Sequence, residues 1–160
     1  MKNVMLLLVL ISGFCRAQYT IEDFDTTDNY TEVGGAKVRF QINNPVEYYK
    51  LKCNNVQYAQ YPGGDDAFKK DVIKQMNGYL ESDAYAVNGV FTFLFEINKD
   101  GKIKEFVLKP SVQNGDMLYK DLNFAVKKLN AKWIPAKCDG VTVDSKLRIK
   151  VNFRTESYDL

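Results

Sequence analysis

The chain has 160 residues, with 22 Lys and Arg against 20 Asp and Glu and no histidine. That balance offers no excess of positive charge to attract phosphates, so no nucleic-acid partner is expected. The absence of histidine also removes the commonest general base and the commonest zinc ligand.

The first residues read as an export leader. Met1-Lys2-Asn3 is a basic start, Val4 to Phe14 is an apolar run, and Cys15-Arg16-Ala17 places small residues at the −3 and −1 positions of a cut before Gln18. The run is short of the roughly 20 apolar residues that a membrane span needs. An uncleaved short anchor and a lipoprotein signal with Cys15 as the lipidated residue are the competing readings; Phe14 before the cysteine argues against the second. Cleavage removes Lys2 and Arg16, so 20 basic residues then face 20 acidic ones. Export predicts a periplasmic location, with the membrane touched only indirectly. Two cysteines survive, Cys53 and Cys138. In an oxidising compartment they read as a candidate disulfide, the alternative being two independent buried thiols.

After a polar, acidic lead-in from Gln18, Val38 to Ile42 alternates apolar and polar residues and predicts a short strand ended by Asn43-Asn44-Pro45. Tyr48 to Tyr61 shows no clean period. Tyr61-Pro62-Gly63-Gly64 marks a change of direction, with Asp65 or Asp66 placed to cap a helix over 66–80 that aligns Phe68, Val72, Met76 and Tyr79. The period then changes to two. Phe91, Phe93, Phe95 and Ile97 share one face of a strand, Asn98-Lys99-Asp100-Gly101 makes a turn, and residues 102–108 return as the second strand of a hairpin. A second helix over 117–130 aligns Leu118, Leu122, Ala125 and Leu129. The last strand points Val143, Leu147, Ile149, Val151 and Phe153 inward, and Lys146, Arg148, Lys150 and Asn152 outward. The predicted fold class is α+β, a small antiparallel sheet of hairpin plus C-terminal strand packed against two helices.

These elements, in this order, resemble the C-terminal domain of TonB-type energy transducers, in the variety that opens with Phe/Tyr-Pro-Gly-Gly. The resemblance rests on Tyr61-Pro62-Gly63-Gly64, Gly89-Val90, Asp100-Gly101-Lys102-Ile103, Trp133-Ile134-Pro135-Ala136, Gly140 and Val151-Asn152-Phe153-Arg154. It divides the chain into a leader (1–17), an N-terminal extension (18–60), the TonB-like domain (61–154) and a tail (155–160).

The resemblance implies a binding module without chemistry or cofactor of its own. Its partner would be an outer-membrane TonB-dependent transporter or another envelope protein, whose extended peptide adds to the sheet in the service of transmembrane transport. By the same resemblance the receiving edge is the final strand, Lys146, Leu147, Arg148, Ile149, Lys150, Val151, Asn152 and Phe153, whose basic outer face suits an acidic or polar peptide. The alternative is a secreted structural domain that self-associates, as a homodimer, through that edge. Four prolines and no Pro-rich spacer depart from a full transducer. The chain then reads as a stand-alone accessory, or as one held by a retained leader. No phosphate loop or nucleophile elbow is present, and two cysteines so far apart in sequence predict no metal site, so no enzyme is expected.

Overall fold

A computed structural model describes residues 29–33, 36–80, 85–113 and 115–157. The predicted leader lies outside them. Among the described residues no helix is long and apolar enough to cross a membrane.

The elements run β1 (Asn29–Val33), β2 (Ala36–Gln41), β3 (Glu47–Tyr48), β4 (Val56–Gln57), α1 (Gly64–Tyr79), β5 (Gly89–Ile97), β6 (Ile103–Lys109), α2 (Asp116–Lys127), β7 (Ala136–Cys138), β8 (Val141–Val143) and β9 (Ser145–Ser157). The fold is α+β. Its main sheet is antiparallel in the order β1-β2-β9-β5-β6, with β3 also on β9, and a small sheet is ordered β4-β7-β8.

Alternation in the sequence sets the two faces of the main sheet. Phe91, Phe93 and Phe95 stand opposite Val151, Ile149 and Leu147, so all six side chains share one face, and all are buried. Phe106 and Leu108 extend this face on β6, and Val38 and Phe40 extend it on β2. Phe68, Val72 and Met76 of α1 and Leu118 and Leu122 of α2 are buried against the same core. Ring contacts run both between and within the layers: Phe68 of α1 meets Phe95 of the sheet edge-on at 5.3 Å, and Phe91 meets Phe153 on the neighbouring strand at 5.6 Å. Each fully buried Phe or Leu contributes about 1.5–3 kcal/mol, so this one face supplies most of the driving force.

The segment before Tyr61 is built into the same structure. β2 pairs with β9 over six residues, and Val38, Phe40, Ile42 and Val46 are buried. The predicted strand over 38–42 is β2. The helix cap differs from expectation: α1 begins at Gly64 behind Gly63, without a side-chain cap. Asp65 instead accepts the Tyr48 hydroxyl at 2.6 Å, and Asp66 pairs with Lys69 at 2.8 Å.

The motif residues that are scattered in sequence converge. Trp133 N–H donates to the Gly101 carbonyl at 2.9 Å, and Gln60 and Ile134 exchange backbone hydrogen bonds of 2.9 Å. Tyr61 and Phe68 lie against the Trp133 ring at 5.1 and 4.9 Å. The Tyr61 hydroxyl donates to Asp71 at 2.6 Å, and its pKa is raised, first by burial and then by that carboxylate. These residues tie the hairpin turn, the start of α1 and the exit of α2 into one knot. Their role here is architectural.

Cys53 and Cys138 form a disulfide, with Cα atoms 5.7 Å apart, at the small sheet. Asp139 (φ 50°) and Gly140 (φ 85°) make the tight β7–β8 turn.

Candidate partner-binding edge

The structure does not leave Lys146–Phe153 at an edge. β9 is central: from Lys146 to Phe153 it pairs with Glu96 to Gly89 of β5 on one flank. On the other flank Leu147 and Arg148 pair with β3, and Asn152 and Phe153 with β2. Tyr49 N–H adds a bond to the Lys146 carbonyl at 2.9 Å. Ladder groups alternate sides along an antiparallel strand. Lys146 faces β3, so Arg148, Lys150 and Asn152 face the same way, and Leu147, Ile149, Val151 and Phe153 face β5. Only Lys150 then meets no strand, opposite the connection over 42–46. The resemblance placed this strand at the receiving edge, yet the segment before Tyr61 supplies the strands that cover it.

The outer face of β9 is basic in sequence and paired in space. Arg148 donates from Nε to Glu47 at 2.7 Å and also binds it through Nη2, while Lys150 lies 3.7 Å from the same carboxylate. Lys146 meets Glu96 at 3.0 Å, and Glu96 also holds Lys104 at 2.6 Å. The Glu47 carboxyl is held below its ordinary pKa by the hydrogen bond from Arg148, and Glu96 by those from Lys104 and Lys146. Much of the positive charge expected to attract an acidic peptide is thereby spent within the sheet.

The main sheet ends at β1 and β6. The same alternation carries across β5: Thr92, Leu94 and Glu96 face β6 and pair with Lys109, Val107 and Glu105. Phe106 and Leu108 therefore direct their N–H and C=O groups outward, where no strand pairs with β6 among the described residues. At its start Ile103 and Glu105 oppose adjacent residues, Ile97 and Glu96, leaving Lys104 as a bulged residue. At its middle the Tyr119 hydroxyl of α2 donates to the Phe106 carbonyl at 3.3 Å, with the two rings stacked at 6.3 Å. A bulge with a lysine and a plugged carbonyl are devices that restrain strand pairing at an exposed edge.

A shallow groove of about 300 Å³ runs along the outer face beside β6, between Tyr49, Leu94, Val107, Lys109 and Lys146. On the helical side a second groove of about 560 Å³ lies between the end of α1 and α2. There Tyr79 and Phe124 meet edge-on at 5.0 Å, and the Lys128 ammonium sits 4.8 Å over Phe124. Sequence periodicity placed Tyr79 on the buried stripe of α1; it is exposed. No family model matches the chain, and no curated protein and no solved structure was found to be similar to it.

Proposed function

We propose that the chain is an exported, periplasmic binding module of the TonB C-terminal type, without catalytic chemistry, that receives an extended peptide from an outer-membrane transporter or another envelope protein at the outer edge of β6. The single observation that carries this reading is the outward-facing backbone of Phe106 and Leu108 on a seven-residue terminal strand. A peptide laid antiparallel there would complete the ladder and place alternate side chains beside Val107 and Lys109 on the outer face. The disulfide and the leader-like start support export.

Tyr119 gives the test. An incoming strand must displace its hydroxyl from the Phe106 carbonyl. Tyr119→Phe should therefore tighten peptide binding, by roughly 2–10-fold for a hydrogen bond of about 1 kcal/mol. A photo-crosslinker at Val107, used in envelope extract, should capture an outer-membrane transporter. Capture only of a second copy of the chain, with a concentration-dependent dimer in sedimentation, would favour self-association through β6. Unchanged or weaker binding in Tyr119→Phe would remove β6 as the receiving edge.

A further inference from the structure

The disulfide corner carries a third group of ligand type. Potential ligand atoms of Cys53, Cys138 and Asp139 all lie within 4.8 Å of one another, although the cysteines are 85 positions apart. The disulfide is not alone in bringing them together. Val56 pairs with Cys138 across β4 and β7. Asn55 N–H donates to Asp139 Oδ1 at 2.8 Å, and Asp139 N–H donates to the Asn55 carbonyl at 2.9 Å. This reciprocal pair fixes the aspartate against the loop that carries Cys53, while its second carboxylate oxygen takes no part. The two cysteines are half-buried and Asp139 is exposed, so solvent reaches the corner.

We propose that this corner, once its disulfide is opened, binds a thiophilic divalent cation such as Zn²⁺ through the thiolates of Cys53 and Cys138 and the carboxylate of Asp139. Opening requires a dithiol reductant. One of its thiolates attacks a cysteine sulfur and breaks the S–S bond, its second thiolate resolves the mixed disulfide, and the reductant leaves as its own disulfide. The protein gains two electrons and two protons, and the cation releases the two protons as it binds. The geometry suits the ion. Tetrahedral zinc with Zn–S bonds of about 2.3 Å separates two thiolates by roughly 3.8 Å. Side-chain rotation on Cα atoms 5.7 Å apart spans that separation. Three protein ligands leave a fourth position for water, and two sulfurs select against Mg²⁺ and Ca²⁺. The β4–β7 pairing and the Asn55–Asp139 hydrogen bonds are contacts separate from the S–S bond that also tie the three ligands together.

The experiment uses the full chain, reduced with a phosphine, and Cd²⁺ as the probe, read by thiolate-to-metal absorption in the ultraviolet. The expected result is one Cd²⁺ per reduced chain and none per oxidised chain. Asp139→Asn should weaken binding by roughly tenfold or more, as loss of a coordinating or orienting group does. Near-UV circular dichroism from Trp133 follows the fold. If reduction loosens it, one equivalent of Zn²⁺ should restore the signal to the reduced chain and leave the oxidised chain unchanged. Equal Cd²⁺ affinity of the two forms, an unaffected Asp139→Asn, or a loosened fold that Zn²⁺ does not restore would each overturn the proposal.

Discussion

At Gly101 two independent constraints fall on one atom that is absent. The residue sits at φ 78°, and a Cβ built there would lie 2.1 Å from the Trp133 carbonyl oxygen. Gly101→Ala would therefore strain the backbone and push apart the hairpin turn and the α2 exit. It should cost more than about 1 kcal/mol, against a gain of about 0.4–1 kcal/mol where alanine fits without strain. Urea unfolding followed by Trp133 fluorescence reads the difference. Glycine at this turn was expected from the sequence, since Asn98 to Gly101 flanked by alternating apolar residues is a hairpin signal. Its closeness to Trp133 was not, because only the folded chain brings the two within reach. Asp139 is similar: it sits in the β7–β8 turn, and the pairing of β4 with β7 sets it beside both cysteines.

Glu96 makes the stability of the fold depend on pH. Lys104 and Lys146 both donate to it, and its pKa in the folded chain lies below the unfolded value. A depressed carboxylate pKa contributes stability that is fully present above the unfolded pKa, about 4.3, and is lost as pH falls through the folded value. Urea midpoints should therefore drop as pH is lowered below that point. Glu96→Gln should flatten this acid limb while also lowering stability at neutral pH. An unchanged slope would show that the two lysine contacts carry no net free energy.

Among the elements, β9 was the clearest in the sequence and the most misplaced. Its alternation reads correctly from Lys146 onward: Leu147, Ile149, Val151 and Phe153 are buried, and Lys146, Arg148, Lys150 and Asn152 face outward, whereas Val143, read onto the same strand, belongs to β8 of the small sheet. Alternation fixes which way side chains point, but it says nothing about which strands stand on either side. That depends on β2, whose alternation shows a strand but not its partner, and on β3, a two-residue element in a stretch without a clean period. Ile149 accordingly belongs to the centre of the sheet, fully buried and with its ladder groups toward β5. Ile149→Ala should cost about 2–5 kcal/mol in a denaturant melt, as core truncations do, and folded molecules should still bind a peptide at β6. Loss of binding by a folded Ile149→Ala chain would show that the core beneath β5 and β9 is needed for the receiving edge. β6 is the opposite case. Its strand was legible, with bounds shifted by one residue, but its free outer edge followed only from the order of the whole sheet.

For the molecule as a whole, the division at Tyr61 suggested by the motifs is not a division in the fold. Residues before it cover β9, and Cys53 bridges to Cys138 near the far end of the chain. The disulfide closes a loop of about 85 residues. In the chain-entropy account its removal, by replacing both cysteines with serine, should lower stability by roughly 4–5 kcal/mol. A thermal melt monitored by far-UV circular dichroism tests this, and a loss of less than about 1 kcal/mol would mean that hydrogen bonds and packing hold the small sheet unaided.

The central position of β9 also orders events in time. β9 follows every strand it touches, and it alone joins β2 and β3 to β5. While the ribosome is still short of residue 145, β1 and β2 can pair only with each other, and the hairpin has only half its shelter. Such long-range pairing is slow to form, which leaves the chain open during synthesis.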